Sequence, residues 1–327
     1  MKNNSSKITI FNRYSQSSEE EVVYGGGWVK FIYGKFFLGT FIEYLLSFSK
    51  IPSMLMGFFY NSGLSKFLIP GFIKNYKIDM TEYSAGNVKK SIVRKVLYDL
   101  NFTKKSQLIL PENSYKNFNH FFIREFKSNK RSWPIDLHQM GAFAEARYFG
   151  TEEIHDSLRF PVKGNYLRPL DLLGDEHEWT ELFDRGPMLI ARLCPVDYHR
   201  YHYPDEGKTL VSYSKSGFLH SVSPFALSKI PQTFIRNERR ISILETKNFG
   251  KIAYIEIGAL MVGKIIQTHD EVQPFLRGQQ KGYFLFGGST VVIIGQYKTW
   301  QPSEDILDHS YNGIETYVKL GDLVAIK

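Results

Sequence analysis

Lys281-Gly282-Tyr283-Phe284-Leu285-Phe286-Gly287-Gly288-Ser289-Thr290-Val291-Val292 sets a Gly-Gly-Ser-Thr between two apolar, strand-like runs near the C-terminus. β-Branched residues continue to Ile294, so Ser289 to Ile294 reads as a strand. Glycine weakens a strand interior, and a pair there marks a bend, a bulge or a close backbone approach. A tight bend accounts for the pair by itself. A second reading is chemical: the acyl residue of the Gly288-Ser289 bond has no side chain, which leaves the serine hydroxyl room to attack the Gly288 carbonyl. That reading needs a base.

Working outward, further strand signals lie at Leu210 to Tyr213, Arg240 to Leu244 and Ile252 to Ile257, separated by Gly, Pro and Asn turns. Upstream, residues 79–127 read as mostly helical, with Ala85 to Leu100 an amphipathic segment and the block from Phe118 a second helix. The expected class is α+β, a helical N-terminal membrane-associating region followed by a mainly antiparallel β catalytic domain. Residues 1–27 form a polar tail with the acidic run Glu19-Glu20-Glu21 and a hinge at Gly25-Gly26-Gly27. Residues 28–136 form the helical connecting region, and residues 137–327 form the β-rich domain.

A chain of 327 residues with 43% hydrophobic and 15% aromatic residues buries a sizeable core and is not disordered. Cys194 is the single cysteine, so no intrachain disulfide forms and a reducing compartment is favoured. With no His-Glu-x-x-His either, a zinc site is not expected. The net charge of +8 is scattered, and no nucleic-acid-binding motif accompanies it. An anionic membrane surface fits better, because Trp28 to Ile78 is dense in aromatic and aliphatic residues punctuated by lysines. Helical spacing runs over Trp28 to Leu38 and Phe41 to Phe48, with Pro52 and Pro70 as breaks. The longest uncharged stretch, Ile51 to Ser65, has 15 residues, short of the roughly 20 a spanning helix needs. In-plane association with the headgroup region suits it, and the same apolar faces also serve to cover the catalytic domain. No apolar signal-peptide core occurs in the first 27 residues, so secretion is not supported.

A base is available in Asp197-Tyr198-His199-Arg200-Tyr201-His202-Tyr203-Pro204. On its own, a pair of histidines three residues apart reads equally as surface residues or as half of a metal site. Together the two motifs resemble the phosphatidylserine decarboxylase family, which carries an Asp-Tyr-His-Arg-x-His segment and, later, a Gly-Ser-Thr whose serine becomes a pyruvoyl group. Phe118-Asn119-His120-Phe121-Phe122-Ile123-Arg124-Glu125-Phe126-Lys127 with Arg131-Ser132-Trp133-Pro134-Ile135 resembles another family block. Leu219 to Pro224, Asn237 to Arg240 and Gly258 to Ile265 follow in the family's order.

The resemblance implies a proenzyme that cuts itself between Gly288 and Ser289, giving a β-chain of residues 1–288 and an α-chain of 289–327 with a pyruvoyl terminus. Phosphatidylserine would be its substrate and the cytoplasmic face of the cell membrane its place, as a peripheral protein; a homo-oligomer is compatible with all of this. By the resemblance, His202 removes the Ser289 proton and His199 later protonates the carbon left after carbon dioxide departs. One departure stands out. Where the family has Pro-Ala-Asp-Gly, whose aspartate orients the catalytic histidine, this chain has Phe143-Ala144-Glu145-Ala146. The register is anchored by the similar Phe160 to Tyr166 segment and puts Glu145 at the aspartate position. Glu is one methylene longer, and Ala at a glycine position is strained wherever φ is positive. The rival expectation is an uncleaved relative that binds or scaffolds membrane lipid.

Overall fold

The computed structural model describes residues 7–22, 50–84, 115–155, 168–174, 177–218, 233–258, 264–286 and 289–327. Residues 28–48, 85–100, 160–166 and 219–224, together with Gly287 and Gly288, were read from sequence and lie outside the described residues.

The strands begin with the N-terminal hairpin β1 (Lys7–Asn12) and β2 (Ser17–Val22), then β3 (Gln139–Gly141) and β4 (Ala146–Thr151). Next come β5 (Met188–Leu193), β6 (Arg200–His202), β7 (Gly207–Lys215), β8 (Arg239–Thr246) and β9 (Lys251–Gly258). The last six are β10 (Ile265–Gln267), β11 (Gln280–Phe284), β12 (Ser289–Gly295), β13 (Gln301–Pro302), β14 (Glu315–Val318) and β15 (Leu323–Ile326). Nine form one sheet in the order β2-β1-β14-β4-β5-β12-β9-β8-β7, and two three-stranded sheets, β10-β11-β6 and β13-β15-β3, accompany it. Pairing is antiparallel throughout except between β1 and β14.

The central strands are covered on both faces, which is why β5 and β12 read as continuous buried runs instead of alternating ones. One face carries Tyr148, Leu189, Leu193, Tyr254, Val291 and Ile293 into a core shared with Tyr201, Phe275 and Phe284. The other carries Phe149, Ile190, Ile243, Ile255, Val292 and Ile294 into a second core. Every strand expected from Leu210 onward is present.

Two expectations change. The N-terminal segment is not a tail over residues 7–22: it adds two strands to the nine-stranded sheet, with Ile10 opposite Glu315. Its polarity misled because the acidic run is not wholly solvated. Glu21 pairs with Arg147 and Arg192, two arginines brought from β4 and β5. Pro70 does not interrupt a helix: it sits in the first turn of α2 (Leu68–Tyr76), where a missing N–H costs nothing, while Pro52 lies in α1, described over Lys50–Asn61.

A short helix, α3 (Phe118–Phe122), packs under α1 and α2. Tyr60, Ile69, Phe72, Phe118, Phe121, Phe122 and Phe286 form their common apolar cluster. The outer side of α1, α2 and the turn between them leaves Leu55, Phe58, Leu64 and Phe67 mostly exposed, Phe58 at 80%. Among the described residues no helix is long and apolar enough to cross a membrane.

Candidate active site

Ser289 is the first residue of β12, held between Leu193 of β5 and Gly258 of β9. It is fully buried, and its hydroxyl has no hydrogen-bond partner among the described residues. The register is fixed from several sides. Asn237 donates its side-chain amide to the Gly258 carbonyl at 2.8 Å, and the Phe286 amide donates to Asn119 Oδ1 at 3.0 Å. At Gly282 a close approach requires glycine, since a Cβ would come within 2.2 Å of the Ile266 carbonyl oxygen and 2.4 Å of the Tyr201 hydroxyl.

The two histidines sit differently from one another. His199 lies in the loop between β5 and β6, fully buried, its ring 3.8 Å from that of Phe122. Its Nδ1 is 3.0 Å from the Asp197 carbonyl oxygen, which can only accept, so Nδ1 carries the proton. Nε2 is therefore a bare lone pair, with no partner among the described residues. Burial, reinforced by the nearby Arg124 and Arg147 charges, drops the pKa of His199 to about 3. The ring is neutral at neutral pH.

His202 ends β6 with both ring nitrogens engaged. Nδ1–H donates to the Gly278 carbonyl at 2.9 Å, and Nε2 accepts from the Tyr198 hydroxyl at 3.2 Å. Burial lowers its pKa to about 4. Its backbone amide donates to the Phe143 carbonyl at 2.8 Å, so the Phe143-to-Ala146 segment does meet the histidine, through the main chain.

Glu145 is 4% exposed and its carboxylate is committed elsewhere. Arg131 grips it through Nε at 2.6 Å and Nη2 at 2.9 Å, while the Tyr317 hydroxyl and the Leu320 amide donate at 3.1 and 3.2 Å. Among the described residues, no hydrogen bond joins Glu145 to His202. The connection is indirect: the Arg131 guanidinium lies 3.9 Å from the centre of the Phe126 ring, which packs at 4.4 Å on Tyr198, the partner of His202. Ala146 raises no backbone problem, since it opens β4 without a positive φ.

Behind Ser289 lies a charged network. Asp197 bonds Arg147 and accepts from the Cys194 amide at 2.6 Å, and Arg192 bonds Glu315 at 2.8 Å and Glu21 at 3.3 Å. Burial pushes Asp197 up to about 6 against the pull of Arg147. On Glu21, burial acts upward too, but the two arginines outweigh it and hold that carboxyl at about 2. The network braces the loop that presents His199.

The sequence profile of the phosphatidylserine decarboxylase family matches residues 118–325. The chain belongs to the phosphatidylserine decarboxylase family. It is 35% identical over 319 residues to the phosphatidylserine decarboxylase proenzyme of Ruminiclostridium cellulolyticum, covering 97% of each chain. Against the proenzyme of Clostridium kluyveri it is 35% identical, over 98% of this chain and 99% of the relative. Proenzyme 2 of Clostridium acetobutylicum is 36% identical over 97% of this chain and 98% of its own length. The family's lyase chemistry on a phospholipid is therefore the frame in which this site is to be understood.

Sequence reasoning passed over three residues that the fold puts at the site. Tyr198 is the direct partner of His202, Asn119 pins the backbone at Phe286, and Arg131 holds Glu145. All three lie inside the quoted motifs, but a motif does not say which of its residues face inward.

Proposed function

We propose that the chain cleaves itself between Gly288 and Ser289 and, with the pyruvoyl group so formed, converts phosphatidylserine to phosphatidylethanolamine and carbon dioxide. The observation that carries this reading is the Ser289 hydroxyl, buried in the middle of the main sheet without a partner. Leaving such a group unsatisfied costs about 1–3 kcal/mol, which packing alone gives no reason to retain. A nucleophile held unencumbered gives one.

In the cleavage, a histidine takes the Ser289 proton and the alkoxide adds to the Gly288 carbonyl. Expulsion of the Ser289 nitrogen leaves an ester. Loss of the Ser289 α-proton then expels the Gly288 carboxylate and leaves dehydroalanine, whose imine form takes up water and releases ammonia to give the pyruvoyl terminus. The position fits that group, because one ketone oxygen replaces the serine amine and a methyl replaces the hydroxymethyl, so no donor is brought that the apolar surroundings must satisfy. When formed, it supplies an electrophilic carbonyl that captures the substrate amine and takes up the electrons released with carbon dioxide.

Family resemblance gives His202 the role of base toward Ser289, oriented by Glu145, and His199 the role of proton donor to the substrate carbon; the Glu145 hydrogen bonds to Arg131 make that orientation indirect. The hydrogen bonding favours a second assignment of the base, since only His199 has a free ring nitrogen. Separate His199→Ala and His202→Ala variants decide between them: the one that stays whole has lost the base. The exposed Leu55, Phe58, Leu64 and Phe67, flanked by exposed Lys74 and Lys77, give the protein a face for an anionic bilayer at the cytoplasmic side.

Intact mass under denaturing conditions tests the proposal. Fragments of residues 1–288 and 289–327, the smaller with a blocked terminus, are expected, and Ser289→Ala should stay whole and inactive. A native chain that remains full length after long incubation would overturn the reading in favour of an uncleaved lipid-binding protein.

A further inference from the structure

The segment around α3 sends three side chains into the site, and the roles of two are clear: Asn119 holds Phe286 and Phe122 stacks on His199. The third, Arg124, is 1% exposed. Its Nη2 donates to the Val196 carbonyl at 2.7 Å and to the Tyr83 hydroxyl at 3.3 Å. The guanidinium rests 4.2 Å from the centre of the Tyr83 ring and 5.0 Å from that of Phe121. Nε and Nη1 are buried, with no hydrogen-bond partner among the described residues. Nε carries one N–H and Nη1 two, so three of the five donors are unspent.

Three neighbouring arginines face carboxylates, Arg131 that of Glu145, Arg147 that of Asp197 and Arg192 that of Glu315, and buried Arg239 spends its donors on the backbone carbonyls of Leu172, Ile235, Asn237 and Asp171. Among the described residues, no carboxylate stands within ion-pair distance of Arg124. Ring faces and a carbonyl soften the burial of a cation but do not replace a counter-charge. Planar, multiply donating arginine is the side chain suited to oxyanions such as phosphate or carboxylate.

We propose that Arg124 binds the phosphodiester of the substrate head group, a deepening that rests on the phosphatidylserine reading. The substrate offers two anions, and the chemistry selects between them. The carboxylate loses its charge as carbon dioxide forms, so a cation fixed on it would stabilise the ground state more than the transition state and slow the reaction. The phosphodiester keeps its charge throughout, so binding it positions the reacting end at no cost to the barrier. Placement agrees. Arg124 grips the loop that carries His199, and its charge is felt at that ring. Phe121 beneath it belongs to the apolar cluster under α1 and α2, whose outer face is the exposed one, so acyl chains lying there leave the phosphodiester pointing inward.

The test is calorimetric titration of full-length protein as purified, with its cleavage state read by mass, using glycerophosphoserine, inorganic phosphate and phosphate-free O-methylserine. In Arg124→Met, glycerophosphoserine affinity should fall at least about tenfold, with Arg124→Lys intermediate and O-methylserine unchanged. Inorganic phosphate should compete with glycerophosphoserine on the wild type, which would mark the phosphate oxygens as the recognised chemistry. Competition absent, with glycerophosphoserine still dependent on Arg124, would place recognition on the esterified head group and also support the site.

Equal affinity in a folded Arg124→Met overturns the proposal, as does equal loss of both serine probes, which means a purely structural role. If Arg124→Met does not fold, thermal unfolding of the wild type decides. Glycerophosphoserine should raise Tm well beyond O-methylserine at matched ionic strength, and no difference overturns the idea. An uncut protein that still binds glycerophosphoserine through Arg124 refutes the decarboxylase reading alone. A processed, active enzyme indifferent to Arg124 refutes this one alone.

Discussion

Removing Arg131 should expose how Glu145 serves the site. The pair is closed to water, with side-chain exposures of 8% and 5%, and two short hydrogen bonds join them. Burial disfavours the Arg131 charge, yet Glu145 and Glu82 more than compensate and raise its pKa above the ordinary arginine value. Arg131→Met leaves the Glu145 carboxylate with only the Tyr317 hydroxyl and the Leu320 amide, both neutral donors at 3.1–3.2 Å. Breaking one side of a buried pair costs about 3–5 kcal/mol, and because two donors remain the lower end, about 3 kcal/mol, is expected. Glu145→Gln keeps the shape and leaves Arg131 bonded to Glu82 at 2.9 Å, so about 2 kcal/mol is expected there. The double variant should fall well short of the sum, with a coupling of about 2 kcal/mol. Urea unfolding of the four proteins, in a Ser289→Ala background so that all remain uncut, measures this. Cleavage is then timed with Ser289 restored. On the proposed route, in which Glu145 serves cleavage through Arg131, the two single variants should slow cleavage by similar factors that do not multiply. A Glu145→Gln variant far slower than Arg131→Met would refute the indirect route and require direct contact with His202.

Acid should act partly through His199. Its pKa is depressed by burial, from 6.5 to about 3, so the stability tied to its neutral form is whole above pH 6.5 and drains as pH falls towards 3. Wild type should therefore lose about 2 kcal/mol more than His199→Gln between pH 7 and pH 5, read from urea midpoints, and parallel curves would contradict the assignment. Lys281 is fully buried against Glu256 at 2.7 Å and Glu271 at 3.2 Å. Lys281→Met should cost about 3–5 kcal/mol, and adding Glu256→Gln should recover much of it; no recovery would mean that volume, not charge, was lost. Phe58→Glu with Phe67→Glu should weaken binding to anionic vesicles at least about tenfold while leaving thermal stability intact, and cosedimentation unaffected by the pair would exclude this face as the lipid contact.

Much of the sheet was legible because buried strands here are long runs of Val, Ile and Leu, and period and composition agree at β8, β9 and β12. The N-terminal hairpin was not, because β2 is mostly Ser and Glu, and Glu21 looks solvated until Arg147 and Arg192 arrive from distant strands. At the site, Ser289, His199 and His202 were visible as residue types in motifs, and the fold buries all three. Their hydrogen bonds were not visible. That Tyr198 occupies His202 Nε2, or that Arg131 takes the Glu145 carboxylate, depends on χ angles and loop paths that no local pattern encodes. The extra methylene of Glu145 also means something different in three dimensions. It reaches Arg131 and Tyr317 together, a span that an aspartate on the same backbone would not cover.

The place of Ser289 at the head of β12 has a consequence for assembly. Severing the chain there would make β12 to β15 a separate polypeptide, yet two of its strands lie between strands of the other piece, β12 between β5 and β9 and β14 between β1 and β4, and β15 pairs with β3 as well. The pieces would be interleaved, not merely apposed, and could part only by unravelling the main sheet. Once unravelled, their return would be a second-order encounter, slower on dilution, between one fragment lacking its central strand and another too small for a core. Only the uncut chain would find this topology as a unimolecular event, so maturation would be a one-way passage: the cut protein inherits a shape it could not readily have built.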